Sequence, residues 1–338
     1  MSRIDGAVLV TGGAGYIGAH TVKALAESGL RPVVFDNLST GHREALRWGP
    51  FVQGDICDAA AVQAAIEHHD VTAVIHFAGL IEVGRSAARP DLFYEVNVVG
   101  TKVLLGAMQR AGVRRLVFSS SAAVYGRHPA DDPGRLIGED DPKDPASPYG
   151  DTKLVAERMI CAYCAAFGLS AVALRYFNAA GADASGLLGE AHQPETHLIP
   201  LAIDAALGNR PELTVFGVDY PTADGSCLRD YIHVQDLAAA HVAALGLDQA
   251  QGAFEAINVG TGTGHSVLEV IEAVERACGR GVPRSVGPRR PGDPPSLVAN
   301  PSLAGRRLAW SADASSLTHI VESAVRWRRA PAYGFENR

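Results

Sequence analysis

Cysteine is sparse: five in 338 residues, odd in number and scattered. Such usage gives no disulfide framework and suits a reducing cytosol. Cys161 and Cys164 form one Cys-x-x-Cys, but no second pair or histidine partner stands near it. Both are expected as buried thiols on a helix face, and no metal site is expected. No apolar run reaches the roughly 20 residues that cross a bilayer, which excludes a helical membrane anchor. There is no polybasic run or basic arm. Lys and Arg total 30 against 37 acids, a net charge of −7, which disfavours a nucleic-acid partner. Met1-Ser2-Arg3-Ile4-Asp5 leads straight into a short apolar strand, so a secretion signal is not expected. Repeats and low-complexity segments are missing too. What remains is a globular composition, 47% hydrophobic and 20% charged, long enough for more than one lobe. A cytoplasmic location is expected.

The most informative stretch is Ser147-Pro148-Tyr149-Gly150-Asp151-Thr152-Lys153, at the start of an amphipathic run. Positions i and i+4 share a helix face, so a phenol and an ammonium can reach one site. A free phenol, with a pKa of about 10, is a poor base at neutral pH. A neighbouring ammonium favours the phenolate, and a second cation beside it would add to the effect.

Near the start, the apolar run Ala7–Val10 is followed by Thr11-Gly12-Gly13-Ala14-Gly15-Tyr16-Ile17-Gly18 and a helical pattern through Leu25. Glycines there allow a tight turn and close backbone approach, and the helix N-terminus can receive a pyrophosphate. A second apolar run, Pro32–Phe35, ends in Asp36, 18 residues after Gly18. A carboxylate so placed accepts the adenosine ribose hydroxyls and repels a 2′-phosphate, which favours NAD over NADP. Strand, glycines, helix, strand and acid together predict a dinucleotide site.

Further strands are expected over 51–56, 73–79, 115–118 and 171–174, with helices over 59–67, 91–111 and the run after Tyr149. Asp55 and Ile56 are expected to hold the adenine edge. His76, within its strand, is expected as a satisfied core residue. Loops are expected over 80–90 and 129–145. Ser119-Ser120-Ser121 ends a strand, where open parallel sheets bind ligands, and can bring a hydroxyl beside Tyr149. Strand and helix alternate this far, the mark of parallel βαβ units. Beyond Asn178 the texture changes. A helix is expected over 195–207, a strand over 213–217, a loop over 219–230, a helix over 236–245, a strand over 254–259 and a helix over 266–278. The loop Gly287–Asp293 is assigned to a second lobe.

Taken jointly, Thr11–Gly18, Asp36-Asn37-Leu38, Gly54-Asp55-Ile56, His76–Gly79, Ser119–Gly126, Ser147–Lys153, Arg175–Asn178, Asp219–Thr222, Arg229–Val234 and Arg289–Asp293 closely resemble the UDP-glucose 4-epimerase family of extended short-chain dehydrogenase/reductases. The likeness spans roughly residues 7–330. It implies an α/β fold: a Rossmann-type doubly wound parallel sheet with a smaller mixed α/β C-terminal substrate lobe. The expected division is 1–178, with 232–260 returning to the sheet, against 179–231 and 261–338.

The resemblance implies NAD held as a catalyst, with Gly12, Gly15, Tyr16, Ile17, Gly18, Asp36, Asn37, Asp55, Ile56, Phe77, Ala78, Gly79, Asn97, Lys153 and Phe177 around it. It implies that Tyr149 takes the proton of a sugar 4-hydroxyl, that Ser121 bonds the same hydroxyl, and that Lys153 lowers the Tyr149 pKa. It assigns Asn178, His197, Leu198, Phe216, Arg229, Arg290, Asp293 and Leu297 to the nucleotide sugar, and a homodimer built on 91–111 and 149–167. UDP-glucose and UDP-galactose are the expected pair, with UDP-N-acetylhexosamines or UDP-xylose and UDP-arabinose as alternatives. Four positions depart from the family pattern: Ile81 where Lys is common (Arg85 is nearby), Val96 where Asn is common, His197 for Asn, and Leu297 for the Tyr or small residue at the sugar gate. A dehydratase would place Asp-Glu where this chain has Ala122-Ala123. A non-catalytic NAD sensor would lack the base or the lysine.

Overall fold

The computed structural model describes residues 4–126, 134–290 and 293–334. In order, the first elements are β1 (Ala7–Thr11), α1 (Tyr16–Glu27), β2 (Arg31–Asp36), β3 (Phe51–Gln53), α2 (Ala59–His68) and β4 (Val71–His76). They continue with α3 (Val83–Ala88), α4 (Pro90–Phe93), α5 (Gly100–Ala111), β5 (Arg115–Ser119), α6 (Pro148–Phe167) and β6 (Ser170–Tyr176). Next come β7 (Asn178–Ala180), α7 (Leu198–Leu207), β8 (Leu213–Phe216), β9 (Leu228–His233), α8 (Val234–Leu245) and β10 (Phe254–Val259). The last are β11 (Gly264–Ser266), α9 (Val267–Cys278), β12 (Arg284–Gly287), β13 (Ser296–Leu297), α10 (Ser302–Leu308) and α11 (Leu317–Arg329).

Seven parallel strands form the main sheet in the order β10-β6-β5-β4-β1-β2-β3. The chain starts in the middle, winds one way to β3, then crosses back to β4. That reversal opens a crevice at the carboxyl ends of β1 and β4. β1 is buried along its whole length, as befits a strand covered by helices on both faces. One core lies on the face covered by α2, α5 and α6, and contains Leu9, Phe35, Val74, Leu104, Phe118 and Ile160. A second lies on the face covered by α1, α8 and α10, and contains Val10, Leu25, Ile75, Leu237 and Ile257. The doubly wound expectation holds, and β10 joins the sheet beside β6. A third core packs α7, α9 and α11 around Val215 and Tyr231. There β9 pairs with β7, β11 and β13, and β8 pairs with β12.

Several local expectations need correction. The stretch 80–90 is not all loop: it contains α3. The strand over 51–56 stops at Gln53, because Asp55 bends back to accept the Cys57 N–H. The helix over 91–111 is a composite, with a π-helical turn at Tyr94–Val99 between α4 and α5. Helix α7 begins at Leu198, not 195; Pro200 then falls in the first turn, where its missing N–H is not needed. β9 already starts at Leu228, inside the expected loop. Cys161 is exposed while Cys164 is buried, since three residues turn a helix by less than a full circle. Of the loop 129–145, residues 129–133 lie outside the described residues, as do Pro291 and Gly292. His76 is satisfied as expected, bonded to the hydroxyls of Thr11 and Thr101 at 2.7 and 3.0 Å.

Candidate active site

The turn after β1 is built so that something can approach its backbone. Gly12 has φ +72°, and a Cβ there would sit 2.5 Å from the Ala78 nitrogen. A Cβ on Gly18 would sit 2.2 Å from the Gly12 carbonyl oxygen. Gly15 precedes α1 and offers no side-chain cap, so the first N–H groups of Tyr16, Ile17 and Gly18 point out of the helix end without a side-chain partner. At the end of β2, Asp36 accepts the N–H groups of Ala14 and Leu38 at 3.0 and 2.8 Å. Burial raises its pKa, against those two hydrogen bonds. Its position is therefore locked to the glycine turn. Beside it, Asn37 donates to Asp55 at 2.9 Å. The Cys57 N–H and Asn37 hold the Asp55 carboxyl below its ordinary pKa. Ile56 is buried behind them.

Two expected cofactor residues use their side chains elsewhere. The Tyr16 hydroxyl donates to the Gly181 carbonyl at 2.6 Å. The Phe77 ring packs on His241, with centroids 4.6 Å apart. Both leave only backbone at the turn. The donor geometry, the cradle at Gly12 and the anchored acid fit a dinucleotide.

The catalytic candidates meet across the crevice. Ser147 caps α6 by accepting the Gly150 N–H at 3.2 Å, and Pro148 occupies its first position. This fixes Tyr149 one turn below Lys153. Lys153 is buried and its ammonium donates to the Ser119 carbonyl at 2.8 Å. Its Nζ lies 6.0 Å from the Tyr149 ring centre. Gly79 touches the same place: a Cβ there would be 3.0 Å from Asn97 Oδ1 and 3.8 Å from Lys153 Nζ. Asn97 in turn holds the Leu80 backbone at both N–H and C=O. Ser121 lies close enough to the Tyr149 phenol to act on its pKa, while its hydroxyl oxygen accepts the Ala123 N–H at 3.1 Å. Ala122 and Ala123 follow it, so no carboxylate stands there.

The polypeptide alone sets the starting electrostatics, before any cofactor charge is added. Burial lowers Lys153 to about 8, opposed by the charge of Glu157. Burial raises Tyr149, and the neighbouring Ser121 hydroxyl lowers it by less. Within the polypeptide the net shift of Tyr149 is thus upward, not downward. The desolvation of a phenolate in this pocket outweighs what the surrounding groups return.

A third group gathers around β8 and β9. Arg290 donates to Asp293 at 2.8 Å and lies over the exposed Phe216 ring, 5.2 Å from its centre. Arg229 reaches Asp293 at 3.6 Å and the Pro294 carbonyl at 3.0 Å. It does not pair with Asp230, whose carboxylate is taken by the N–H groups of Thr261, Gly262 and Ala299. Leu297 sits opposite Arg229 in the β9–β13 pairing and packs in a cluster with Ala122, Val124, Leu154 and Phe177. Leu297 therefore ties Arg229 to the segment that follows Ser121. Asn178 lies in β7 opposite Tyr231. His197 and Leu198 open α7, and the His197 imidazole is held by Glu190 rather than by the arginine group.

Sequence reading missed three supports. Glu157 bonds Ser120 at 2.5 Å and Arg175 at 2.6 Å, directly behind the serine-rich end of β5. Tyr176 bonds the Ser119 hydroxyl at 2.6 Å. Thr152 accepts from Asn97 at 3.0 Å. The same fourfold helical step that links Tyr149 to Lys153 leads on to Glu157.

Comparison with known proteins agrees with this geometry. Residues 8–260 match the model of the NAD dependent epimerase/dehydratase family. A UDP-glucose 4-epimerase of Rhizobium leguminosarum bv. trifolii is 51% identical over 323 residues, covering 95% of this chain and 96% of that one. The crystal structure of a UDP-glucose 4-epimerase from Brucella ovis in complex with NAD is 49% identical, with a TM-score of 0.89 over 95% of this chain and 98% of that one. A Stenotrophomonas maltophila UDP-glucose-4-epimerase, crystallised with NAD and formylated UDP-arabinopyranose, is 43% identical, with a TM-score of 0.91 over 96% and 98%. The chain belongs to the NAD dependent epimerase/dehydratase family, and within it to the UDP-glucose 4-epimerases.

Proposed function

We propose that the chain interconverts UDP-glucose and UDP-galactose by inverting C4 of the sugar, with NAD bound at the glycine turn and Asp36. The convergence of Ser121, Tyr149 and Lys153 carries this reading: a buried phenol and a neighbouring hydroxyl share one end of the sheet with a buried lysine. Bound NAD supplies the reversible oxidation of C4, so the net reaction is free of redox change. Tyr149 accepts the proton of the 4-hydroxyl and returns it after the transient 4-keto sugar has turned over. Ser121 holds that proton's path. Lys153, pinned on Ser119, orients the nicotinamide ribose and keeps positive charge beside the phenol. Arg229 and Arg290 suit the diphosphate through forked donors, and Asp293 can accept ribose hydroxyls. Asn178, His197, Leu198, Phe216 and Leu297 complete the nucleotide-sugar pocket. Dehydration lacks its acid and base at Ala122 and Ala123.

The test is turnover of the purified protein on UDP-galactose, UDP-N-acetylgalactosamine and UDP-xylose with no added NAD. Conversion of UDP-galactose is expected. Turnover confined to UDP-xylose would move the assignment to pentoses. A need for added NAD would point to weak retention at Ile81, which is exposed, and Arg85, which pairs with Glu82. Tyr149→Phe should keep fold and cofactor and lose about 10²–10⁴-fold in kcat.

The proposed assembly is a homodimer. Tyr94, Val99 and Phe167 are large apolar residues left exposed on the segments 94–99 and α6. A monomeric mass by light scattering at micromolar concentration would refute it. Among the described residues no helix is long and apolar enough to cross a membrane. The five free cysteines support a cytoplasmic location.

A further inference from the structure

We propose that Glu190, His192, Glu195 and His197 form a binding site for one divalent transition-metal ion of the zinc type. The site goes beyond the epimerase reading and beyond the metal-free expectation from sequence. All four residues come from one segment between β7 and α7, in the pattern Glu-x-His-x-x-Glu-x-His. One donor atom from each lies within 4.8 Å of the other three.

The donor atoms already converge through hydrogen bonds. His192 Nδ1 and His197 Nδ1 stand 3.1 and 2.5 Å from the same oxygen, Oε1 of Glu190. His197 Nδ1 stands 3.4 Å from Oε1 of Glu195. Tetrahedral zinc with bonds of about 2.0–2.2 Å has ligand–ligand edges of about 3.3–3.6 Å, so the ion would replace the two His–Glu190 hydrogen bonds and open the 2.5 Å contact by about 1 Å. Two imidazoles and two carboxylates suit a first-row divalent ion; magnesium and calcium prefer oxygen throughout.

A second observation is independent of those distances. The Glu190 and Glu195 side chains are only 6% and 7% exposed. Glu195 Oε1 accepts the N–H groups of Thr196 and His197, but its Oε2 is buried with no hydrogen-bond partner. A buried carboxylate oxygen without a donor is costly, and a cation satisfies it. The surroundings hold the ligands in place. The Trp327 indole N–H donates to the Glu190 carbonyl at 2.8 Å. The Tyr16 ring meets His192 edge-on, with centroids 6.1 Å apart. On binding, any proton on either Nδ1 leaves to solvent, and the imidazole lone pair takes its place on the metal.

His197 also stands among the proposed substrate residues, so the test uses His192 and Glu195, which do not. Chelator-treated holoprotein is given two equivalents of Zn²⁺, desalted, and its metal content measured by mass spectrometry. X-ray absorption at the zinc edge then reads the ligand set. About one zinc per chain is expected, with a shell of nitrogen and oxygen containing two imidazoles. The double variant His192→Ala/Glu195→Gln, checked by circular dichroism, should bind at least about tenfold more weakly. Retention below about a tenth of an equivalent, equal retention by the variant, or a sulfur-containing shell would overturn the site. If the variant does not fold, the wild-type absorption spectrum decides alone. No step of the test reads turnover, so its failure leaves the epimerase assignment standing.

Discussion

Arg175 grips Glu157 through two hydrogen bonds, Nε to Oε1 at 2.9 Å and a terminal nitrogen to Oε2 at 2.6 Å, in the core behind Ser119 and Ser120. The pair is almost closed to solvent. Glu157 lies one helical turn past Lys153, and its charge supports the ammonium that burial brings down to about 8. In Glu157→Gln that support is lost and Lys153 becomes neutral at lower pH. The alkaline limb of kcat/KM for UDP-galactose should therefore move to lower pH. An unmoved limb would separate Glu157 from Lys153. Glu157→Ala leaves Arg175 buried without its counter-charge and should cost about 3–5 kcal/mol in urea unfolding.

Gly12 is the second sensitive point. Its φ of +72°, and the 2.5 Å that would separate a Cβ at this position from the Ala78 nitrogen, leave no room for alanine. Left-handed backbone costs about 1–2 kcal/mol for a residue with a Cβ, and the clash adds to it. Gly12→Ala should lower Tm and release NAD. Cofactor content read by absorbance of the denatured protein checks this; wild-type content would show that the turn does not set cofactor binding.

Legibility in the sequence follows from how local the signal is. Central parallel strands such as β1, and β4 from Ala73 to Ile75, are buried and read as apolar runs. Tyr149 and Lys153 share a helix face, so their spacing alone pairs them. The six-residue α3 contains Gly84 and begins at the exposed Val83, and no apolar period marks it. Glu157 has the sequence context of a solvated helix charge, because its partner Arg175 comes from the next strand. Leu297 meets Arg229 across 68 residues of chain, a register that no local pattern encodes. The segment 190–197 has ligand-type residues but no secondary-structure period, so its convergence appears only in three dimensions.

Four buried histidines predict acid sensitivity. Burial lowers His76 to about 3, and His20, His233 and His241 to about 4. Unfolded, each would titrate near 6.5. Between pH 6.5 and these folded values the unfolded chain binds more protons, so stability rises with pH and falls on acidification. Each fully effective histidine contributes about 1.4 kcal/mol per pH unit. Urea midpoints should drop from about pH 6.5 downward, above the range where carboxylates titrate. A midpoint constant from pH 7 to pH 5 would contradict this.

Leu297 is the place to read sugar size. It is half-buried beside Phe177 and Ala122 and sits in register with Arg229, between the catalytic segment and the arginine group. Trimming it changes the pocket without touching Tyr149 or Lys153. Leu297→Ala should raise kcat/KM for UDP-N-acetylgalactosamine relative to UDP-galactose by about 10-fold or more, the scale set by small changes of apolar volume. Leu297→Tyr should move the ratio the other way. Measuring both substrates on both variants separates a gate from a general packing residue: a gate shifts the ratio in opposite directions, whereas a packing residue lowers both rates together.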